Sequence, residues 1–139
     1  MEVKEYLERI SKLDLLIENK REEKAKWFEI ATGITASMSG DRVQSSGNPH
    51  RKEDVWCAYA QAGKEYDEAV IAYKREKDEI IRTIERLPST EYDILHKVYV
   101  QRMSLKEYAV VKDKAYSWAT AVHGNALRLL QMILNDIYH

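Results

Sequence analysis

The chain has 139 residues, of which 45% are hydrophobic and 32% are charged, with only 5 Gly, 2 Pro and 1 Cys. This composition favours a small helical protein and argues against an all-β fold. A single cysteine excludes an internal disulfide framework, and no apolar run approaches the roughly 18 residues that a membrane span needs. The start of the chain lacks the apolar core of a secretory signal. We therefore expect a cytoplasmic protein with no membrane partner.

The net charge of the chain excludes few functions. The formal net charge is -1, whereas a nonspecific nucleic-acid binder is usually basic. Residues 86–139 carry 7 basic and 5 acidic side chains, so the carboxyl-terminal part is the mildly positive end of the chain. This asymmetry permits DNA binding without demonstrating it.

Two long amphipathic segments come first. Apolar side chains recur at three- and four-residue spacing over about residues 3–31 and again over 52–86, which predicts two long helices. Residues 32–51 between them are rich in Gly and Ser, and we predict a flexible loop there. Two long helices joined in this way most simply form an antiparallel hairpin. Because a lone hairpin buries little apolar area, we expect residues 1–86 to form a homodimer or higher oligomer, or to bind another partner.

Three shorter helices are predicted in the remainder of the chain. The apolar periodicity places them at about 91–101, 105–111 and 115–137. Ser104 and Glu107 form a capping box that opens the middle one. A short helix, a tight turn and a third helix make a helix-turn-helix arrangement. The predicted fold is all-α, with a long antiparallel helical hairpin followed by a three-helix helix-turn-helix module at 87–139.

The last fifty residues also carry a more specific pattern. Its parts are Leu87-Pro88 with Glu91, Ile94-Leu95, Tyr99-Val100, Ser104-Leu105-Lys106-Glu107-Tyr108-Ala109 and Ala126-Leu127. In this order they resemble region four of sigma-70 family factors, which reads L-P-x-x-E, then S-x-x-E-I-A, then a recognition helix ending in R-A-L. Tyr116-Ser117-Trp118 and the run from His123 to Leu127 are similar to phage-encoded sigma-like helix-turn-helix regulators. The close resemblance covers about residues 87–131. The amino-terminal part resembles these regulators only in layout, as a long helical segment broken by a loop.

This resemblance implies a sequence-specific DNA-binding transcriptional regulator, encoded by a phage or prophage and acting in the bacterial cytoplasm. It implies that the final helix enters the major groove of duplex DNA, with RNA polymerase as a further candidate partner. The residues expected to bind DNA are Tyr116, Ser117, Thr120 and Ala121 on the groove-facing side and Lys112, Lys114 and Arg128 beside the backbone phosphates.

Departures from the family pattern occur in the turn before the final helix and on that helix. Asp113 stands where relatives carry a turn residue such as Gly, and Ala115 stands where Ser caps the helix. Either Asp113 caps this helix or its start is left open. Thr120, Ala121 and Asn125 occupy positions where relatives often carry Lys or Arg, so readout of guanine by arginine is not expected there.

Catalytic and metal sites are not expected. The sequence has no Gly-rich phosphate loop, nucleophile elbow or metal-binding motif. Cys57 has no suitably spaced His or Asp beside it, and His123 has no carboxylate or Cys at ligand spacing. We therefore expect neither an enzyme nor a cofactor nor a metal ion.

Two other functions remain open. A phage DNA-packaging recognition subunit of the small-terminase type also joins a helix-turn-helix to an oligomerising helical hairpin. A helical interaction protein could keep the same fold without binding DNA. A ring of eight or more chains would favour packaging, whereas a dimer would favour transcriptional regulation.

Overall fold

The structure, a computed structural model, describes residues 1–39 and 49–138. Within these ranges the chain forms five α-helices and one π-helical turn, and no strand occurs. The elements are α1 (Val3–Ser39), α2 (Pro49–Ile84), α3 (Ser89–Leu95), the π-helical turn (His96–Val100), α4 (Leu105–Val111) and α5 (Tyr116–Ile137). The predicted all-α class is confirmed.

The two long helices reach further than their apolar stripes predict. α1 continues to Ser39 and α2 begins at Pro49, so helix occupies both edges of the segment predicted as a loop, 32–51. The middle of that segment, 40–48, lies outside the described residues. The hydroxyl of Thr32 donates to the carbonyl oxygen of Phe28 at 2.9 Å, which satisfies this polar side chain inside the helix. Proline is tolerated in the first turn of a helix, where its missing N–H costs nothing.

The described residues group into two compact units. The first unit comprises residues 1–14 and 74–138, and the second comprises 15–39 and 49–73. Both long helices therefore contribute to both units. The first unit contains the whole of α3, α4 and α5, and with them every residue that we expect to bind DNA.

The core of the first unit takes side chains from all five helices. Its buried members are Val3, Tyr6, Leu7, Ile10 and Leu13, Ile80, Ile84 and Leu87, Ile94 and Leu95, Tyr108 and Ala109, and Ala119, Ala126, Leu130 and Leu134. α5 packs against both α3 and α4. Each fully buried Leu or Ile contributes about 1.5–3 kcal/mol relative to exposure. One face of α5 is thus anchored, and the opposite face is left to solvent.

Polar contacts add to this core at the start of α1. The Val3 amide donates to Oε1 of Gln131 at 2.9 Å, and Nε2 of the same glutamine donates to the Met1 carbonyl oxygen at 2.9 Å. Arg9 forms a two-point hydrogen-bonded ion pair with Glu76, at 2.7 and 3.2 Å. These bonds hold the first turns of α1 against α5 and the end of α2.

The second unit is formed by the remaining parts of α1 and α2. Three side-chain contacts join the two helices: Lys20 with Glu65 at 3.8 Å, Lys24 over the Tyr66 ring at 5.1 Å, and Phe28 with Tyr59 at 5.6 Å between ring centroids. Residues later in α1 thus meet residues earlier in α2. Leu15 and Ile71 are exposed at 59% and 61%, so apolar surface remains uncovered in this unit.

α3 does not continue as the α-helix predicted over 91–101. The Gln101 N–H donates to the His96 carbonyl oxygen at 3.0 Å, five residues back, and Arg102 adopts a φ of 60°. The wider π-helical turn and the left-handed residue after it end the helix. The chain then reaches Ser104, whose Oγ accepts the Glu107 N–H at 3.0 Å, so the predicted cap of α4 is confirmed.

α4 ends in a Schellman motif. The Lys114 N–H donates to the Ala109 carbonyl oxygen at 2.9 Å, and the Asp113 N–H donates to that of Val110 at 3.1 Å. Asp113 itself adopts a φ of 56°, the left-handed conformation that this motif usually assigns to glycine. Asp113 is therefore the residue at which the chain turns between α4 and α5.

No helix in the ranges described combines the length and the apolar character needed to cross a membrane.

Candidate nucleic-acid interface

The start of α5 is open. Ala115 occupies the N-cap position with φ -71° and ψ 152°, and no side chain caps the first turn. Of the two predicted possibilities, a cap by Asp113 or an open helix start, the structure shows the open start, because Asp113 lies in the turn that ends α4. The first amides of a helix have no intrahelical acceptor and carry partial positive charge. The N–H groups of Tyr116 and Ser117 can therefore donate to solvent or to an anion.

The four residues expected to face bases share one exposed surface of α5. Tyr116, Ser117, Thr120 and Ala121 are all exposed, whereas Ala119 on the opposite side is buried. The Thr120 hydroxyl donates to the Ser117 carbonyl oxygen at 2.9 Å. We call these four residues the outward face of α5. The surface is accessible to a macromolecule, and DNA contact by it stays a prediction.

Lys112 and Lys114 lie beside this helix start, each over an aromatic ring. The Lys112 ammonium is 5.7 Å from the centroid of the Tyr108 ring, and the Lys114 ammonium is 5.8 Å from that of Trp118. The two rings stack with centroids 6.0 Å apart and an interplanar angle of 3°. Cations are attracted to the negative faces of such rings. The ring pair thus favours two positive charges next to the first turn of α5.

Both lysines line one cleft of about 590 Å³. It is bounded by the start of α3, the end of α4 and the start of α5. Its lining residues are Ser89, Thr90, Tyr92, Asp93, Tyr108, Lys112, Lys114 and Trp118. We call it the lysine cleft. Its two lysine ammonium groups can donate to acceptors such as phosphate oxygens.

Asp93 joins three elements in the wall of this cleft. Its carboxylate accepts hydrogen bonds from Lys97 at 2.9 Å and from the Tyr108 hydroxyl at 2.7 Å, and lies 3.1 Å from the Lys112 ammonium. Burial acts to raise the pKa of Asp93, but these three donors outweigh it and lower the pKa to about 2. Burial and the adjacent carboxylate raise the pKa of Tyr108. Asp93 is therefore ionised at neutral pH, and it ties α3 and the π-helical turn to α4.

Arg128 lies apart from the lysine cleft. It is exposed on α5, seven residues beyond Ala121 and therefore on nearly the same side of the helix. Its guanidinium donates to Oδ1 of Asn125 at 2.8 Å, and Nδ2 of Asn125 donates to Glu91 at 3.1 Å. The structure thus brings Lys112 and Lys114 together and leaves Arg128 further along the helix.

His123 lies behind the exposed surface, packed on Tyr99. The two rings stack with centroids 5.7 Å apart, and the tyrosine hydroxyl is 2.9 Å from Nε2 of His123. Burial, followed by the positive charge of Lys4, lowers the pKa of His123. Among the described residues no cluster of His, Cys, Asp and Glu has the geometry to hold a metal ion. Its contact with Tyr99 makes His123 a packing residue of the first unit.

Sequence reasoning missed Asp93 and Tyr108. The spacing of Asp93 and Lys97 gives a readable ion pair one helical turn apart. Nothing in the periodicity of α4 indicates that Tyr108 reaches the same carboxylate, because that contact depends on how α4 packs against α3.

No known protein family, curated protein or solved structure significantly matches the chain.

Proposed function

We propose that the chain is a sequence-specific DNA-binding transcriptional regulator that recognises duplex DNA with the start of α5. One observation carries the proposal: the exposed, uncapped start of α5 has Lys112 and Lys114 beside it, at the position where the likeness to sigma region four expects a recognition helix. The capped α4, the turn at Asp113 and α5 then act as a helix-turn-helix.

The electrostatics of this surface support phosphate contact despite the net charge of -1. Lys112, Lys114 and the open amides of α5 lie together in the first unit, and Arg128 extends the positive charge along the same helix. Lysines and helix amino-terminal amides are common phosphate ligands in protein–DNA interfaces. With three cationic contacts per module, the logarithm of affinity should fall with the logarithm of salt at a slope of roughly -3.

Assembly completes the proposal. The contacts between α1 and α2 run in antiparallel order, which supports the predicted helical hairpin, and exposed Leu15 and Ile71 give it apolar surface for self-association. A single helix-turn-helix reads only a few base pairs, so useful affinity requires two modules on two half-sites. We assign the hairpin as the oligomerisation arm, with RNA polymerase as a second candidate partner. The likeness to phage regulators supports a phage or prophage origin for the protein.

The test is selection of duplexes from a randomised pool by the purified full-length protein at low salt. Enrichment of a common motif, followed by the expected salt dependence on that motif, supports the proposal. Retention of no duplex overturns it and leaves a helical interaction protein. The particle mass on the selected duplex distinguishes transcriptional regulation from DNA packaging. Eight or more chains in a ring would indicate packaging.

A further inference from the structure

The outward face of α5 has an uncommon composition for a surface that would enter a major groove. Of its four residues, Tyr116, Ser117, Thr120 and Ala121, none carries a charge. The cations of this region are all at its edges, in Lys112, Lys114 and Arg128. Attraction to the phosphates and contact with base edges therefore fall to different side chains.

Thr120 has no free hydroxyl proton to donate to a base, whereas its methyl group is uncommitted. Its Oγ1 already donates to the Ser117 carbonyl oxygen at 2.9 Å, so its one hydroxyl proton is engaged within the helix. The two branches at Cβ point in different directions, and the methyl branch of this exposed residue is left for a partner. Ala121 adds a second exposed methyl next to it.

The surface around these methyls is shallow. Gly124 lies one helical turn beyond both Thr120 and Ala121, and an added Cβ there would meet nothing within 4 Å. Gly124 therefore leaves open space next to the two methyls. On the Gly124 side, therefore, no side chain of the described residues stands between the two methyls and an approaching surface.

Base edges in the major groove differ in what they offer to such a surface. Guanine offers two acceptors that favour Arg or Lys, and cytosine offers a donor that favours a carboxylate, whereas thymine offers its C5 methyl to apolar groups. We propose that the methyls of Thr120 and Ala121 contact thymine C5 methyls, so that the protein selects A·T pairs at the centre of each half-site. This inference rests on the proposed function and adds the sequence class that the outward face selects.

Replacement of thymine by deoxyuridine tests the inference directly. The substitution removes the C5 methyl and keeps every phosphate and every base-pairing group. At the central pairs of each half-site, we expect about a fourfold loss of affinity for each contacted methyl that is removed. The slope with salt should stay unchanged, because no phosphate contact is altered. Deoxyuridine placed outside the half-sites serves as the control and should have no effect.

Two variants locate the effect on the protein. Thr120→Ser keeps the hydroxyl and removes the methyl, so it should reduce the discrimination between thymine and deoxyuridine to the part that Ala121 contributes. Thr120→Val keeps the methyl branch and should retain the discrimination. Thr32→Ser and Thr32→Val are matched controls, because the Thr32 hydroxyl makes the same kind of bond to the Phe28 carbonyl oxygen on an exposed part of α1. Neither should alter DNA binding.

The outcomes separate the inference from the function beneath it. Duplex binding with no difference between thymine and deoxyuridine, or selected half-sites with G·C pairs at their centres, overturns the inference and leaves the proposed function standing. Absence of binding to any duplex overturns both. Circular dichroism on each variant establishes that the helices remain folded.

Discussion

Lys112 and Asp93 lie 3.1 Å apart, so a lysine that we propose as a phosphate ligand also pairs with the carboxylate that ties α3 to α4. Asp93 does not depend on this lysine alone, because Lys97 and Tyr108 donate to it as well. The Lys112 ammonium can therefore turn to a phosphate while the carboxylate keeps two donors. The stability of the first unit and its proposed affinity for DNA share one side chain.

Replacing Lys112 and Lys114 together by Ala should weaken binding to all duplexes to a similar degree, since phosphate contacts carry no sequence information. The loss of two contacts should make the slope of log affinity against log salt shallower by about 2. Fluorescence anisotropy titrations over a series of salt concentrations measure both effects.

The control for this double variant is Lys52→Ala with Lys64→Ala, which removes the same charge from exposed positions on α2. An equal loss in the control would assign the effect to net charge. That result would contradict phosphate contact by Lys112 and Lys114.

Thr120→Arg should change which sequence is preferred. An arginine on the outward face of α5 supplies the donor pair that guanine O6 and N7 accept, worth about 1–3 kcal/mol of discrimination. Repeating the duplex selection with this variant should enrich G·C pairs at the centre of each half-site. An unchanged motif would show that the outward face does not read bases.

Tyr108→Phe should destabilise the first unit. The substitution keeps the buried ring and removes the donor to Asp93, and a hydrogen bond to a charged group contributes about 1.5–3 kcal/mol. Urea unfolding followed by circular dichroism measures the loss. Tyr116→Phe, which removes a hydroxyl from an exposed ring, should leave the midpoint nearly unchanged.

Acid should weaken the protein through Asp93. Its pKa in the folded state is about 2, below the ordinary value of 3.8, so its stabilising effect is present above pH 3.8 and is lost as the pH falls towards 2. The shift corresponds to about 2 kcal/mol at most, and partial exposure of the carboxylate lowers this figure. Asp93→Asn should therefore be destabilising at neutral pH, and its difference from the unmodified protein should shrink towards pH 2. A difference that stays constant over this range would contradict the ion-pair assignment.

His123 should titrate below 6.5, because burial and Lys4 both disfavour its charged form. When folding lowers the pKa of a histidine, the resulting stabilisation is fully present at a pH above the pKa of the unfolded chain, about 6.5. It declines as the pH falls below that value. Proton NMR of the His123 ring gives the midpoint, and Lys4→Gln should raise it. A midpoint at or above 6.5 would contradict the lowering of this pKa by burial.

Leu15→Glu with Ile71→Glu should reduce the particle mass of the free protein. Both side chains are more than half exposed in the second unit, and burying two charges in an apolar interface is costly. Light scattering at tens of micromolar gives the mass. Met132→Glu, at an exposed position of α5, is the matched control. A monomeric parent protein would contradict the predicted oligomer outright.

The helical class and the bounds of α4 could be predicted because they depend on local signals. Periodic apolar spacing and the Ser104 cap act within a few residues of the chain. The carboxyl-terminal end of α1 and the amino-terminal start of α2 could not be predicted, because Gly and Ser lower helix propensity without forbidding helical backbone. The π-helical turn, the left-handed Arg102 and the bond between Tyr108 and Asp93 depend on how the helices pack, which spacing alone does not encode.

The left-handed backbone at Asp113 limits which residues can occupy position 113, and it places no limit on the residues of the outward face of α5. Its carboxylate caps no helix, so the position is constrained by main-chain geometry. Gly and Asn can adopt this conformation, Pro cannot, and a β-branched residue is strongly disfavoured. The direction of the chain from α4 into α5 thus depends on residue 113, which is not part of the outward face. A library that randomises Ser117, Thr120 and Ala121 while keeping residue 113 fixed would vary recognition on an unchanged scaffold.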